Sequence, residues 1–214
     1  MYGDDTADKL QDIISGKYID WQADYCTTAR NHLCAGFSPN TKVKTDFDRQ
    51  LKLKEEQAKS LGDFITQTDG WLSPFSQKDR FLTEGGEAEV YFNVAEGYVT
   101  KLNDAVYYAT WLDFLTSVLI HNLLFSSTHY ELKGFIKSTN RIQAALQQDF
   151  IVSDAPVNLD QVREFLEFNG FMHTRRNDYY NTELGLILED IHDENVITSS
   201  GALFFIDTVF FVNQ

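Results

Sequence analysis

The chain is expected to fold as an α+β protein with a helical extension at its N-terminus. Three observations predict this. Apolar residues recur at three- and four-residue steps through about the first 70 positions, which is helical spacing. From Leu72 the texture changes to short aromatic and β-branched segments between turn residues, which reads as strands. Two later helical stretches divide those strands, an order that suits an α+β architecture.

The elements follow in order. Leu10, Ile13, Ile14, Tyr18, Trp21, Tyr25 and Ala29 predict helix from residue 4 to about 34, interrupted at Gly16 and ended by Gly36. Residues 37–44 form a loop. A second helix is expected from about Asp46 to Gln67, capped by Thr45 or Asp46, with Leu51, Ala58, Leu61, Phe64 and Ile65 on one face. Its charged residues mark a solvated face. Arg80–Leu82, Glu89–Val94 and Tyr98–Leu102 read as strands, the first two joined by a Gly-rich turn and the third entered through Gly97. A long helix from Ala105 to Phe125 is apolar on more than one face, which predicts a buried helix. Gly134–Ile136 and Ile142–Leu146 are further strands. Asn158 caps a helix that runs to Glu167 and is stopped by Gly170. The last 30 or so residues read as two or three strands with the 190–195 loop between them.

Composition narrows the function. A chain of 214 residues, 43% hydrophobic and 14% aromatic, can bury a real core. Its formal net charge of −14 repels nucleic-acid phosphates and anionic membrane surfaces. Cys26 and Cys34 form neither a disulfide framework nor a CxxC metal pair and are expected as free thiols. The N-terminus has no basic, apolar leader, and no apolar run approaches ~20 residues. These features predict a soluble, cytoplasmic protein.

The chemistry concentrates near the C-terminal end. Asp190 is followed by Asn195 five residues later and by Asp207 twelve beyond that, with apolar strand-like runs flanking each. Phosphoryl transfer from a nucleotide to a hydroxyl uses such a set: one carboxylate to orient the acceptor, an amide and a carboxylate to hold Mg²⁺. The competing reading is an exposed acidic turn, which suits Asp193 and Glu194. A histidine zinc site and a Ca²⁺ loop both fail, because His192 has no second His at i+4 and the stretch lacks alternating oxygen ligands around a Gly.

Taken together these segments resemble the protein kinase-like fold. Thr83-Glu-Gly85-Gly86-Glu-Ala88-Glu-Val90-Tyr91 looks like its glycine-rich loop, Val99-Thr-Lys101 like its third-strand lysine, and Asp190-Ile-His-Asp-Glu-Asn195 like its catalytic loop. Ile206-Asp207-Thr208 resembles the metal-binding Asp segment in the Ile-Asp form of aminoglycoside-phosphotransferase-like kinases. With Ile120-His121-Asn122, the set is similar to the small kinase domain of polyvalent proteins of phages and conjugative elements, and thus to a bacterial or mobile-element protein.

The resemblance implies a minimal two-lobe kinase-like domain over 78–214, with a strand-rich lobe at about 78–148, a reduced lobe at about 149–214, and residues 1–77 as a helical extension. It implies ATP and Mg²⁺ as cofactors. Gly85, Gly86, Ala88, Val90, Lys101 and Asp113 would hold the nucleotide, with adenine near residues 147–151. Asn195 and Asp207 would hold the metal. Asp190 and Lys101 would carry catalysis. Thr83 and Ala88 stand where two further glycines would be expected, so the phosphate grip would differ in shape. Lys101 would pair with Asp113, or failing that with Glu131; taken alone it reads as a surface lysine. His192, His121 and Asn122 are expected as structural hydrogen-bonding residues.

Seven residues follow Asp207, which leaves no activation segment and turns attention to the N-terminal helices as the place where an acceptor, protein or small molecule, is held. A phosphotransferase is the leading reading. A non-catalytic kinase-like binding module is the alternative, and nucleotidyl transfer on the same scaffold a third.

Overall fold

The computed structural model describes residues 4–38, 47–73, 80–84, 88–138 and 141–213. The expected caps Thr45 and Asp46, and the glycines Gly85 and Gly86, lie outside the described residues. The chain divides into two compact units. One holds residues 16–116 and 130–150, and the other holds 1–15, 117–129 and 151–214.

The first unit is built on a five-stranded antiparallel sheet in the order β1-β2-β3-β5-β4. Its strands are β1 (Arg80–Glu84), β2 (Ala88–Asn93), β3 (Tyr98–Asn103), β4 (Glu131–Ser138) and β5 (Arg141–Asp149). β3 is central and covered on both faces, so its residues 99–102 are all buried, Lys101 included. Leu102 packs with Ile136 and Ala145, and Leu72 and Tyr91 close over them. β4 carries a bulge at Leu132/Gly134. A Cβ on Gly134, whose φ is +149°, would stand 2.6 Å from the Gly70 carbonyl oxygen. Glycine is what lets residues 70–72 run beside the strand, where Leu72 N–H donates to Phe135 O and Phe135 N–H to Gly70 O.

Helices α2 (Tyr25–Gly36) and α3 (Phe47–Gln67) belong to this unit. The Tyr25 ring stacks on Phe64 and meets Phe135 edge-on. Leu61, Phe64 and Ile65 are buried as the spacing predicts, while Leu51 is exposed.

The expected helix over 4–34 is divided more widely than a single glycine would require. α1 covers Asp4–Ile14, Gly16 sits at φ 73°, and residues 17–24 are not helical. The cause lies in α2. Asn31 receives the Ile19 N–H and donates back to the Ile19 carbonyl, Arg30 donates to the Lys17 carbonyl, and Asp24 caps the new helix at Thr27 N. These side chains take the backbone groups that a continuous helix would use.

α4 is Trp111–Leu124 and starts six residues later than its apolar pattern suggests. Asn103 and Asp104 accept from the N–H groups of Ala105 and Val106, and Lys54 donates to the carbonyls of Ala105 and Tyr108. Asx turns of this kind compete with helix and win here. The boundary between units falls inside α4, after Thr116.

The second unit contains α5 (Leu159–Phe168) and short strands β6 (Met172–His173), β7 (Tyr179–Asn181), β8 (Leu186–Glu189), β9 (Val196–Ser199), β10 (Ala202–Phe205) and β11 (Val209–Val212). The expected two or three terminal strands are four, and β6 and β7 precede them. Asn158 caps α5 through the N–H groups of Asp160 and Gln161, as expected. Four strands form a sheet in the order β11-β8-β7-β6, and β9 and β10 form a separate ribbon. Phe125 stacks on Phe205, with Phe165, Phe171 and Phe210 around them. A single 3-10 turn, Ser126–Thr128, follows α4.

Candidate active site

Two antiparallel pairings bring the C-terminal polar residues together. β8 pairs with β11 in the register Glu189↔Val209, and β9 pairs with β10 in the register Val196↔Phe205. The loop 190–195 joins β8 to β9, and residues 206–208 join β10 to β11. Each loop therefore emerges where the other does. The contact is direct: the Asn195 carbonyl accepts from both Ile206 N–H (3.0 Å) and Asp207 N–H (3.3 Å).

Within the loop, Asp190 has φ 64°, a left-handed conformation that Asp tolerates better than most residues. It is held there on both sides. Its N–H donates to Asp178 Oδ1, and the next N–H, of buried Ile191, donates to the Asn177 carbonyl. Asn195 Nδ2 donates to the Asp190 carbonyl at 2.8 Å and reaches its Oδ2 at 3.2 Å. His192 Nε2 lies 3.0 Å from the same amide and 3.5 Å from Asp190 Oδ1. Asp190 itself is exposed, Asn195 and Asp207 are half-buried, and Asp193 and Glu194 project into solvent. Glu189, just before, has its carboxyl raised above the usual range by burial and by the nearby charge of Asp178.

This arrangement orients Asn195. With Nδ2 engaged by Asp190 and His192, the amide oxygen Oδ1 accepts no hydrogen bond among the described residues. An amide oxygen and the Asp207 carboxylate are hard donors of the kind that suit Mg²⁺. No three His, Cys, Asp or Glu side chains gather as a metal cluster among the described residues, so any cation site here relies on an amide or on ligand oxygens.

The first unit holds the other expected residues. Ala88 and Val90 lie on β2, and Val90 is the cross-strand neighbour of Lys101 on β3. Lys101 is 7% exposed, which overturns a surface-lysine reading. Its Nζ donates to Tyr130 Oη at 3.1 Å and stands 5.3 Å from that ring's centroid. Tyr130 is itself buried, and nothing in its local sequence marks it as the lysine's neighbour.

Asp113 has other company. Thr110 Oγ1 donates to Asp113 Oδ2 at 2.8 Å, and Asp113 N–H donates to Thr110 Oγ1 at 3.1 Å. This is a capping box at the start of α4, and a Thr-x-x-Asp spacing before an apolar run is its sequence signature. Burial raises the Asp113 carboxyl, and the Thr110 bonds and the Lys54 cation draw it back. Glu131 forms a surface ion pair with Lys133 at 2.7 Å. In this structure the two carboxylates proposed for Lys101 are thus engaged by Thr110, Lys54 and Lys133. Cys26 and Cys34 are free thiols, with Cys26 fully enclosed.

A five-stranded sheet with a buried third-strand lysine in one unit, and in the other two neighbouring loops that carry Asp190 and Asn195 on one and Asp207 on the next, are the features of a protein kinase-like domain. The family model for the serine/threonine/tyrosine kinase found in polyvalent proteins matches residues 54–214, and the chain belongs to that family. The match begins within α3, upstream of the first recognisable motif. No curated protein matches the chain. No helix among the described residues is long and apolar enough to cross a membrane.

Proposed function

We propose that the chain is an ATP- and Mg²⁺-dependent phosphotransferase acting on a hydroxyl acceptor. The observation that carries this reading is the 190–207 constellation. Asn195 is held by its amide nitrogen so that Oδ1 is left for a cation, and its carbonyl fixes the backbone of Asp207. The chemistry Mg²⁺ would supply there is positive charge to offset the negative charge that develops in phosphoryl transfer. Asn195 Oδ1 and the Asp207 carboxylate are the residues that would hold it. Asp190, exposed at the loop's mouth, would hold the acceptor hydroxyl and take its proton. Lys101, on the central strand, would contact the α- and β-phosphates, and Ala88, Val90, Gly85 and Gly86 would contribute to holding the nucleotide. The boundary at residues 77–78 and a cytoplasmic location belong to the same proposal.

One observation favours the second reading, a nucleotide-binding module without transfer: Thr83 and Ala88 stand where two glycines of the phosphate loop would be expected. Two measurements decide. Thermal stability with ATP and Mg²⁺ should rise for the wild type and not for Asp207→Ala; at 100 times Kd the gain is about 2.7 kcal/mol. No gain in the wild type would end both readings. Label from [γ-³²P]ATP should then appear on an acceptor; binding without transfer to proteins, sugars or aminoglycosides would favour the module.

A further inference from the structure

We infer that His121, acting through Thr208, is a positioning residue for Asp207, and that this hydrogen-bond chain sets the affinity of the site for a divalent cation. The inference rests on the phosphotransferase reading above.

His121 is almost fully buried on α4, and within its own unit its ring bonds Thr208 on one side and Thr128, by carbonyl and hydroxyl, on the other. Nε2 lies 2.8 Å from the Thr128 carbonyl oxygen, and Nδ1 lies 2.7 Å from Thr208 Oγ1. A carbonyl can only accept, so Nε2 carries the proton. In the neutral ring Nδ1 is then the acceptor, and the Thr208 hydroxyl donates to it. The result is a fixed relay from the Thr128 carbonyl through the imidazole to the residue next to Asp207. One turn earlier on the same helix, Ser117 Oγ accepts from Phe210 N–H at 2.9 Å. From the other side the Asn195 carbonyl holds the N–H groups of Ile206 and Asp207. The backbone around Asp207 is therefore clamped from both flanks.

Groups that orient a metal ligand without touching the metal commonly change affinity about 10–100-fold when removed. The two sides of the ring can be separated by substitution. Asn at this position places an oxygen near the Nδ1 site and can still accept from Thr208, but cannot reach Thr128. Gln places its amide near the Nε2 site and can still donate to Thr128, but leaves Thr208 without its acceptor. A purely structural histidine predicts that both variants lose stability and neither loses cation affinity.

The test uses the full chain, Mn²⁺ as the cation probe and a non-hydrolysable ATP analogue, with bound Mn²⁺ read by electron paramagnetic resonance and folding by circular dichroism. Thr208→Ser should bind Mn²⁺ like the wild type, and Thr208→Val at least 10-fold more weakly with nucleotide affinity in its absence unchanged. His121→Asn should follow the Ser variant and His121→Gln the Val variant. If Thr208→Val and His121→Gln fold and bind Mn²⁺ as tightly as the wild type, the inference is overturned while the phosphotransferase reading stands. If the wild type binds no Mn²⁺ with the analogue, the functional reading fails and this inference falls with it. Should His121→Gln not fold, Thr208→Val against Thr208→Ser decides alone.

Discussion

Asp190 offers a prediction in which stability and activity separate. Its φ of 64° puts a Cβ-bearing residue in the left-handed region. For an ordinary side chain that conformation costs about 1–2 kcal/mol. Replacing Asp190 with Ala or with Gly removes the same carboxylate and the same 3.2 Å contact from Asn195, so those losses cancel between the two variants. What differs is the backbone. Gly relieves the left-handed cost and adds about 0.4–1 kcal/mol of freedom to the unfolded chain. The difference leaves Asp190→Gly more stable than Asp190→Ala by about 0.5–1 kcal/mol, the reverse of the order at a helix or strand position. In urea this is a midpoint difference of about 0.3 M. Both variants should transfer phosphate about 10²–10⁴-fold more slowly, the usual contribution of a positioned base. Equilibrium denaturation followed by circular dichroism, with transfer assayed on the same samples, checks both halves. An Ala variant as stable as the Gly variant would refute the backbone argument; full transfer in either would refute the role of Asp190.

Lys101→Met keeps the stem of a buried side chain and should leave the fold within about 1.5 kcal/mol of wild type, while ATP-dependent stabilisation is lost; retention of that stabilisation would remove Lys101 from the nucleotide site. Thr110→Ala deletes the cap of α4 and should cost about 1 kcal/mol, read as a lower urea midpoint. The Asp113 carboxyl is raised in the folded chain by burial, so the folded state binds more protons than the unfolded state just above the ordinary Asp range. Its contribution to stability therefore falls as pH rises through that window, and Asp113→Asn should flatten that part of the pH–stability curve relative to wild type. Gly134→Ala would drive a Cβ into the Gly70 carbonyl at 2.6 Å at a φ that favours glycine, and should be among the most damaging single changes, at about 3 kcal/mol or more; a Tm within a degree of wild type would contradict the packing described for β4.

Much of this structure was legible in the sequence, and the failures share a cause. The strands around Lys101 and the α5 cap at Asn158 follow from local periodicity and capping chemistry, which a sequence displays directly. The Asp–Asn–Asp spacing was legible for the same reason, since its flanking apolar runs are the strands that present it. The late start of α4 was not, because Lys54, some fifty residues away, holds the carbonyls of Ala105 and Tyr108. The long break between α1 and α2 depends likewise on Asn31 and Arg30 reaching back to Ile19 and Lys17. Tyr130 as the neighbour of Lys101 and Thr208 as the neighbour of His121 are tertiary pairs with no sequence signature. Thr110 with Asp113 differs: its capping-box spacing was there to be read, and points to a helix start.

The ribbon of β9 and β10 works as a caliper. Its tip is the pair Ser200-Gly201, at φ 50° and 77°, and its open end is Val196↔Phe205. Adding one residue to each strand near the tip would lengthen the ribbon away from the site and leave Asn195 and Ile206 facing each other. Adding a single residue to one strand would turn every side chain beyond it to the opposite face. The interval of twelve between Asn195 and Asp207 is thus a parity rather than a fixed length. Relatives with an interval of fourteen or sixteen can present the same pair of oxygens, whereas an interval of thirteen would need a bulge to recover it.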